Sequence, residues 1–264
     1  MRGRASPQMK SQLRVAVIPG LPLLLLASIA WLLTARQAFD MSAMVTGLGQ
    51  LGARMPNAMA PPAFMVMWLL MMVAMMFPAI VPMVLTYDMV VSKRPHGRLL
   101  TAVFVAGYLL VWTAIGLVPL LAFLAFRSLM SPAAWEQPAA GAVLLAAGLY
   151  QFTPWKTACL RVCQSPLGFV MTHDFRTGSK GALFAGISHG SWCLGCCWAL
   201  MLLLVVVGLM NLLWMAALSV VFVLEKNWKH GVVISRLAGA AIVLLGVAVL
   251  AAPPFLSVLP NLYR

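Results

Sequence analysis

Four side chains able to bind a soft metal stand within nine consecutive residues: His189, Cys193, Cys196 and Cys197. On a helix each residue advances by about 100°, so with His189 at zero, Cys193 falls near ~40°, Cys196 near ~−20° and Cys197 near ~80°. His189, Cys193 and Cys196 therefore share one narrow face, with Cys197 at its edge. Met201, four residues beyond Cys197, continues the row, and Gly190 and Gly195 leave room for another helix to approach. Imidazole, thiolate and thioether form a soft ligand set that favours Cu(I), with Zn(II) as the competitor left open. A lone buried cysteine reads as a small hydrophobe. Three of the chain's five cysteines within five residues, with a histidine one turn earlier, read instead as a metal site.

The other two cysteines, Cys159 and Cys163, are also four apart and follow Pro154. Such a pair on one helix face can chelate a soft metal or simply pack at an interface; facing the cytoplasm it stays reduced. The form Trp192-Cys193-x-x-Cys196 also fits a thiol oxidoreductase, but no βαβ unit surrounds it and no neighbouring cation is in sight to activate the thiol.

Methionine adds a third soft element. The segment from Met65 to Pro78 places Met67, Met71 and Met75 on one row and Met65, Met72 and Met76 on another. Methionine rows fill cores flexibly, yet neutral thioethers can also pass a monovalent soft ion through lipid without burying ligand charge. Both readings stand. Charge separates the metals. Zn(II) with three thiolates leaves a net negative site, whereas Cu(I) with one or two thiolates and neutral partners comes closer to neutrality. Glu225 reads as an interfacial i,i+4 pair with Lys229, or as a station for a cation or proton.

The elements that hold these residues are membrane spans. Of the 264 residues, 63% are hydrophobic and 9% charged, against roughly 25% charged in soluble domains. Charge-free windows predict an all-α polytopic bundle of about seven spans in one integral membrane domain over residues 1–264. The spans are expected near 15–35, 62–86, 99–126, 137–155, 182–207, 211–229 and 234–252. The uncharged stretch 181–224 would reach roughly 66 Å as one helix, about twice a bilayer core, so it should turn near Gly208-Leu209-Met210-Asn211. The outward stretch 36–60 carries Met41, Met44, Met55 and Met59, and its Gly47, Gly49 and Gly52 match a dinucleotide-loop spacing without the strand that motif needs. With an inward N-terminus, inner segments carry fourteen Lys and Arg and outer ones four: Arg36, Arg54, Arg127 and Arg264. That predicts N-in and C-out, and reads the net charge of +13 as topology and lipid attraction rather than nucleic-acid binding. No phosphate loop or acid pair suggests catalysis.

Several blocks also resemble a known family. They include Met67-Trp68 with Met71-Met72 and Ala74-Met75-Met76-x-Pro78, then Gly148-Leu-Tyr-Gln151-x-Thr-Pro154-x-Lys156 and Cys159-x-x-x-Cys163-x-x-Pro166. The most specific is His189-Gly190-x-x-Cys193-x-Gly195-Cys196-Cys197-Trp198-x-Leu200-Met201, and Glu225-Lys226 follows. The chain resembles an uncharacterised prokaryotic family of predicted metal-binding integral membrane proteins, numbered 2182 among the domains of unknown function. The resemblance implies a metal-binding membrane protein and supplies no substrate or reaction. The expected function is Cu(I) handling in the bacterial inner membrane, as carrier, insertion factor or transporter, with a metal-receiving protein or membrane complex as partner. The alternatives are an accessory subunit of a membrane complex and a thiol oxidoreductase. Reporter fusions at the two termini test the topology: opposite sides are expected, and reporters on the same side would require an even number of spans.

Overall fold

The computed structural model describes residues 20–41, 61–126, 136–172, 178–207 and 211–251. In chain order the helices are α1 (Gly20–Met41), α2 (Pro61–Val91), α3 (Gly97–Phe126), α4 (Glu136–Tyr150), α5 (Pro154–Gln164), α6 (Pro166–Met171), α7 (Gly178–Val207), α8 (Leu212–Asn227) and α9 (Gly231–Ala251). No strand occurs among the described residues. The helical bundle is the expected all-α membrane architecture, since lipid leaves each segment to satisfy its own backbone.

Five helices, α1, α2, α3, α7 and α9, are long and apolar enough to cross a membrane. The two remaining expected spans are shorter: α4 has 15 residues and α8 has 16. Tyr150 is the last residue of α4, and Pro154 opens α5. Thr153, extended as the residue before proline must be, caps α5 by accepting from the Lys156 backbone N–H at 3.3 Å. The expected hairpin turn falls on residues 208–210, outside the described set. On its far side Asn211 caps α8 through the Trp214 N–H. Residues 15–19 of the first span, Met44, Met55, Met59 and the Gly47–Gly52 spacing also lie outside it.

Unequal helix length shapes the site. The helices α2, α3 and α7 have 31, 30 and 30 residues, or about 45 Å each at ~1.5 Å per residue. Beside them α4 and α8 stop level with the middle of α7: the Tyr150 hydroxyl donates to the Gly195 carbonyl at 2.7 Å, and Lys226 in the last turn of α8 reaches Cys193. The short helix α5 folds back into the space so left and packs on α7, α8 and α6.

The most extensive contact is α3 against α7. A Cβ on Gly186 would overlap the Phe104 carbonyl oxygen, and one on Gly190 would meet Val111 at 2.9 Å. Lipid offers little hydrophobic drive between helices, so this close approach supplies the packing. It also fixes the rotation of α7, and hence where its cysteines point. Gly186→Leu should therefore part α3 from α7, with a cost at or above the upper end of the ~1–3 kcal/mol of overpacked cores. The monodisperse fraction in mild detergent should fall for this variant and hold for Leu237→Ala, at an exposed position of α9.

Candidate metal centre

Packed in this register, α7 turns its three central cysteines into the bundle. Cys193, Cys196 and Cys197 are at most 1% exposed, and their sulfurs lie within 4.8 Å of one another. The helical wheel puts Cys197 at the edge of the face. Its side chain swings the sulfur back: Cys197 donates to the Cys193 carbonyl at 2.8 Å, and Cys196 donates to the same oxygen at 3.0 Å. A fourth sulfur comes from α5, where Cys163 Sγ lies 3.9 Å from Cys196 Sγ. Cys159, one turn earlier, faces Gly195; a Cβ there would stand 2.6 Å from its sulfur. All five cysteines are free thiols. The two cysteine groups of the sequence thus meet in one neighbourhood, because α5 folds back against α7.

His189 lies one turn before Cys193, buried among rings. Its centroid is 6.0 Å from Phe104, 5.8 Å from Tyr108 and 5.2 Å from Phe169. Among the described residues, the group of ligand atoms within 4.8 Å consists of the three cysteines and does not include it. Met67, Met71, Met72, Met75 and Met76 are all buried in α2. Met71 and Met201 line one apolar cleft of about 610 Å³ between α2, α3 and α7, with Trp68, Trp112 and Trp198.

The charged groups depart from the sequence expectation. Glu225 does not make the interfacial pair with Lys229. Its Oε2 meets Lys156 Nζ at 2.8 Å, with both side chains 1% exposed. Lys156 also donates to the Cys196 carbonyl, and Gln164 donates to the Glu225 carbonyl at 2.6 Å. One ion pair so ties α5, α7 and α8 together. Nor do the thiols lack a cation: Lys226 Nζ donates to Cys193 Sγ at 3.0 Å and lies 3.8 Å from Met76 Sδ. The Tyr108 hydroxyl is 3.1 Å from the same Cys193 sulfur.

Lys156, Lys226 and Tyr108 are the site residues that sequence reasoning passed over. Both lysines read as flank charges counted towards topology. The available signal was their place beside Thr153-Pro154 and Glu225, in a chain where charge is scarce. Two lysines against one glutamate leave one positive charge for sulfur to balance. That charge changes the metal argument. Lys226 can stay beside a bound ion or give way to it, so thiolate count alone no longer separates zinc from Cu(I). Sulfur ligation by itself suits a soft or borderline ion, Cu(I) and zinc alike.

A family model described as PpoB2, a copper chaperone, matches residues 65–249. The match runs from the methionine rows of α2 almost to the end of α9, and the chain belongs to this copper chaperone family. It agrees with the resemblance seen in the sequence in pointing to a metal, specifies copper, and carries a different family name. No match was found among curated proteins or among solved structures.

The Lys156–Glu225 tie is testable without metal. Removing one partner of a buried pair costs about 3–5 kcal/mol, because it strands the other charge. Glu225→Gln should lower the thermal midpoint of the purified protein markedly. Glu225→Gln combined with Lys156→Met should recover much of the loss. A single variant as stable as the parent would show that the pair fastens nothing.

Proposed function

We propose that this chain is a membrane-embedded Cu(I) carrier that receives the ion along the methionine rows and holds it on the Cys193, Cys196 and Cys197 sulfurs. From there the ion passes through Cys163 and Cys159 to a metal-receiving protein or membrane complex, in the bacterial inner membrane. The observation that carries the reading is the convergence of three buried sulfurs, with a fourth 3.9 Å from Cys196, in a chain of the copper chaperone family. His189 borders the centre as part of its aromatic wall.

The order of donors supports a direction. Thioethers bind Cu(I) without ligand charge and thiolates bind it with charge, so affinity rises from α2 to α7. Cys159, the cysteine with partial exposure, lies farthest along the sulfur series. A thiol oxidoreductase gains a cation from Lys226, but exchange with a partner needs a sulfur the partner can reach. The three central sulfurs are buried.

Purified wild type should hold about one Cu(I) per chain under reducing conditions. Cys193→Ser/Cys196→Ser should abolish binding while leaving membrane insertion intact. Cys197→Ser should weaken it as well, since its sulfur belongs to the same group. Unchanged copper in the double variant, or zinc retained by wild type against excess Cu(I), would overturn the assignment.

A further inference from the structure

A cluster of buried thiolates grips a soft cation, and letting the cation go strands negative charge where water cannot compensate it. A carrier that must deliver is therefore served by another positive charge, a proton or a side-chain cation, ready to take the departing ion's place.

Lys226 stands where that charge is needed. Its ammonium lies between Cys193 Sγ at 3.0 Å and Met76 Sδ at 3.8 Å, over the Phe222 ring at 5.7 Å from the centroid. Those two sulfurs are the ones that a Cu(I) ion would bridge on its way from the methionine rows to the cysteines. Met76 is the last methionine before Pro78. The neighbouring cation cannot serve, because Lys156 is engaged with Glu225 and the Cys196 carbonyl. Lys226 is also able to withdraw. It is the penultimate residue of α8, and a flexible four-carbon stem can carry its head towards the helix end.

We propose that Lys226 is a displaceable placeholder: its ammonium stands in for Cu(I) at the Cys193 sulfur in the metal-free protein, yields that place to the arriving ion and returns when the ion leaves. This rests on the copper reading above. An N–H···S hydrogen bond is exchanged for a Cu–S bond, and one positive charge replaces another. Copper stays Cu(I) throughout, and no electron moves. A divalent ion entering the same position would not leave the charge unchanged, so the exchange also favours a monovalent cargo.

The test compares full-length wild type with Lys226→Leu after Cu(I) loading, reading copper per chain and the rate of transfer to the soluble Cu(I) chelator bathocuproine disulfonate. Both should hold the same copper. The variant should release it roughly tenfold or more slowly, because departure now leaves a buried thiolate without its cation. Release at the wild-type rate would overturn the proposal. So would a variant that loses copper while wild type keeps it, since Lys226 would then hold the metal rather than replace it. Wild type without copper would reject the copper reading itself, and this one with it. If Lys226→Leu does not fold, amine acylation of wild type decides, read at the Lys226 peptide by mass spectrometry. Labelling should rise several-fold on Cu(I) loading, and unchanged labelling would overturn the placeholder.

Discussion

The Lys156–Glu225 ion pair is the contact on which the metal centre depends. Charge buried among apolar helices is tolerated only when it is matched, and here the match spans three helices: Lys156 on α5 holds Glu225 on α8 and the Cys196 carbonyl on α7. Both ends are buried, so the pair holds α5 against α7 and α8 in one observed arrangement. In that arrangement α5 lies folded back beneath α4, and its Cys163 faces Cys196. The short helices α4 and α8 make this possible by stopping halfway along α7, which opens the room that α5 fills.

Above this tie the centre is built from graded softness and one spare positive charge. Neutral thioethers line α2, thiols gather on α7, and Lys226 sits at the junction of the two sets. With Lys156 and Glu225 cancelling, the charge of Lys226 is what sulfur must answer. This gives the cysteines a counter-charge without metal, the charge that the proposed exchange with a monovalent ion would replace. Glycines supply the steric half of the design. Gly186 and Gly190 let α3 press against α7, bringing Tyr108 to the Cys193 sulfur, and Gly195 leaves space for Cys159.

Much of this was legible in the sequence, for identifiable reasons. Lipid imposes long charge-free windows, so the helical class follows from counting. The i,i+4 spacing from His189 to Cys193 and from Cys193 to Cys197 places ligands on one side of a helix before any neighbour is known. Gly190 and Gly195 were readable as points of close approach, and both are. What the sequence hid is tertiary. Lys226 and Cys193 are 33 positions apart, and Lys156 and Glu225 are 69 apart; a lysine at a helix end looks the same whether it faces water or a buried partner. The wheel also assigned Cys197 by its Cα direction, whereas the side chain's own rotation decides where a sulfur lies.

Cu K-edge X-ray absorption on the loaded wild-type protein tests whether the proposed copper centre is made of sulfur alone. A first shell of two or three sulfur atoms with no nitrogen is expected. A shell containing imidazole nitrogen would put His189 among the ligands and contradict the geometry of the cysteine group.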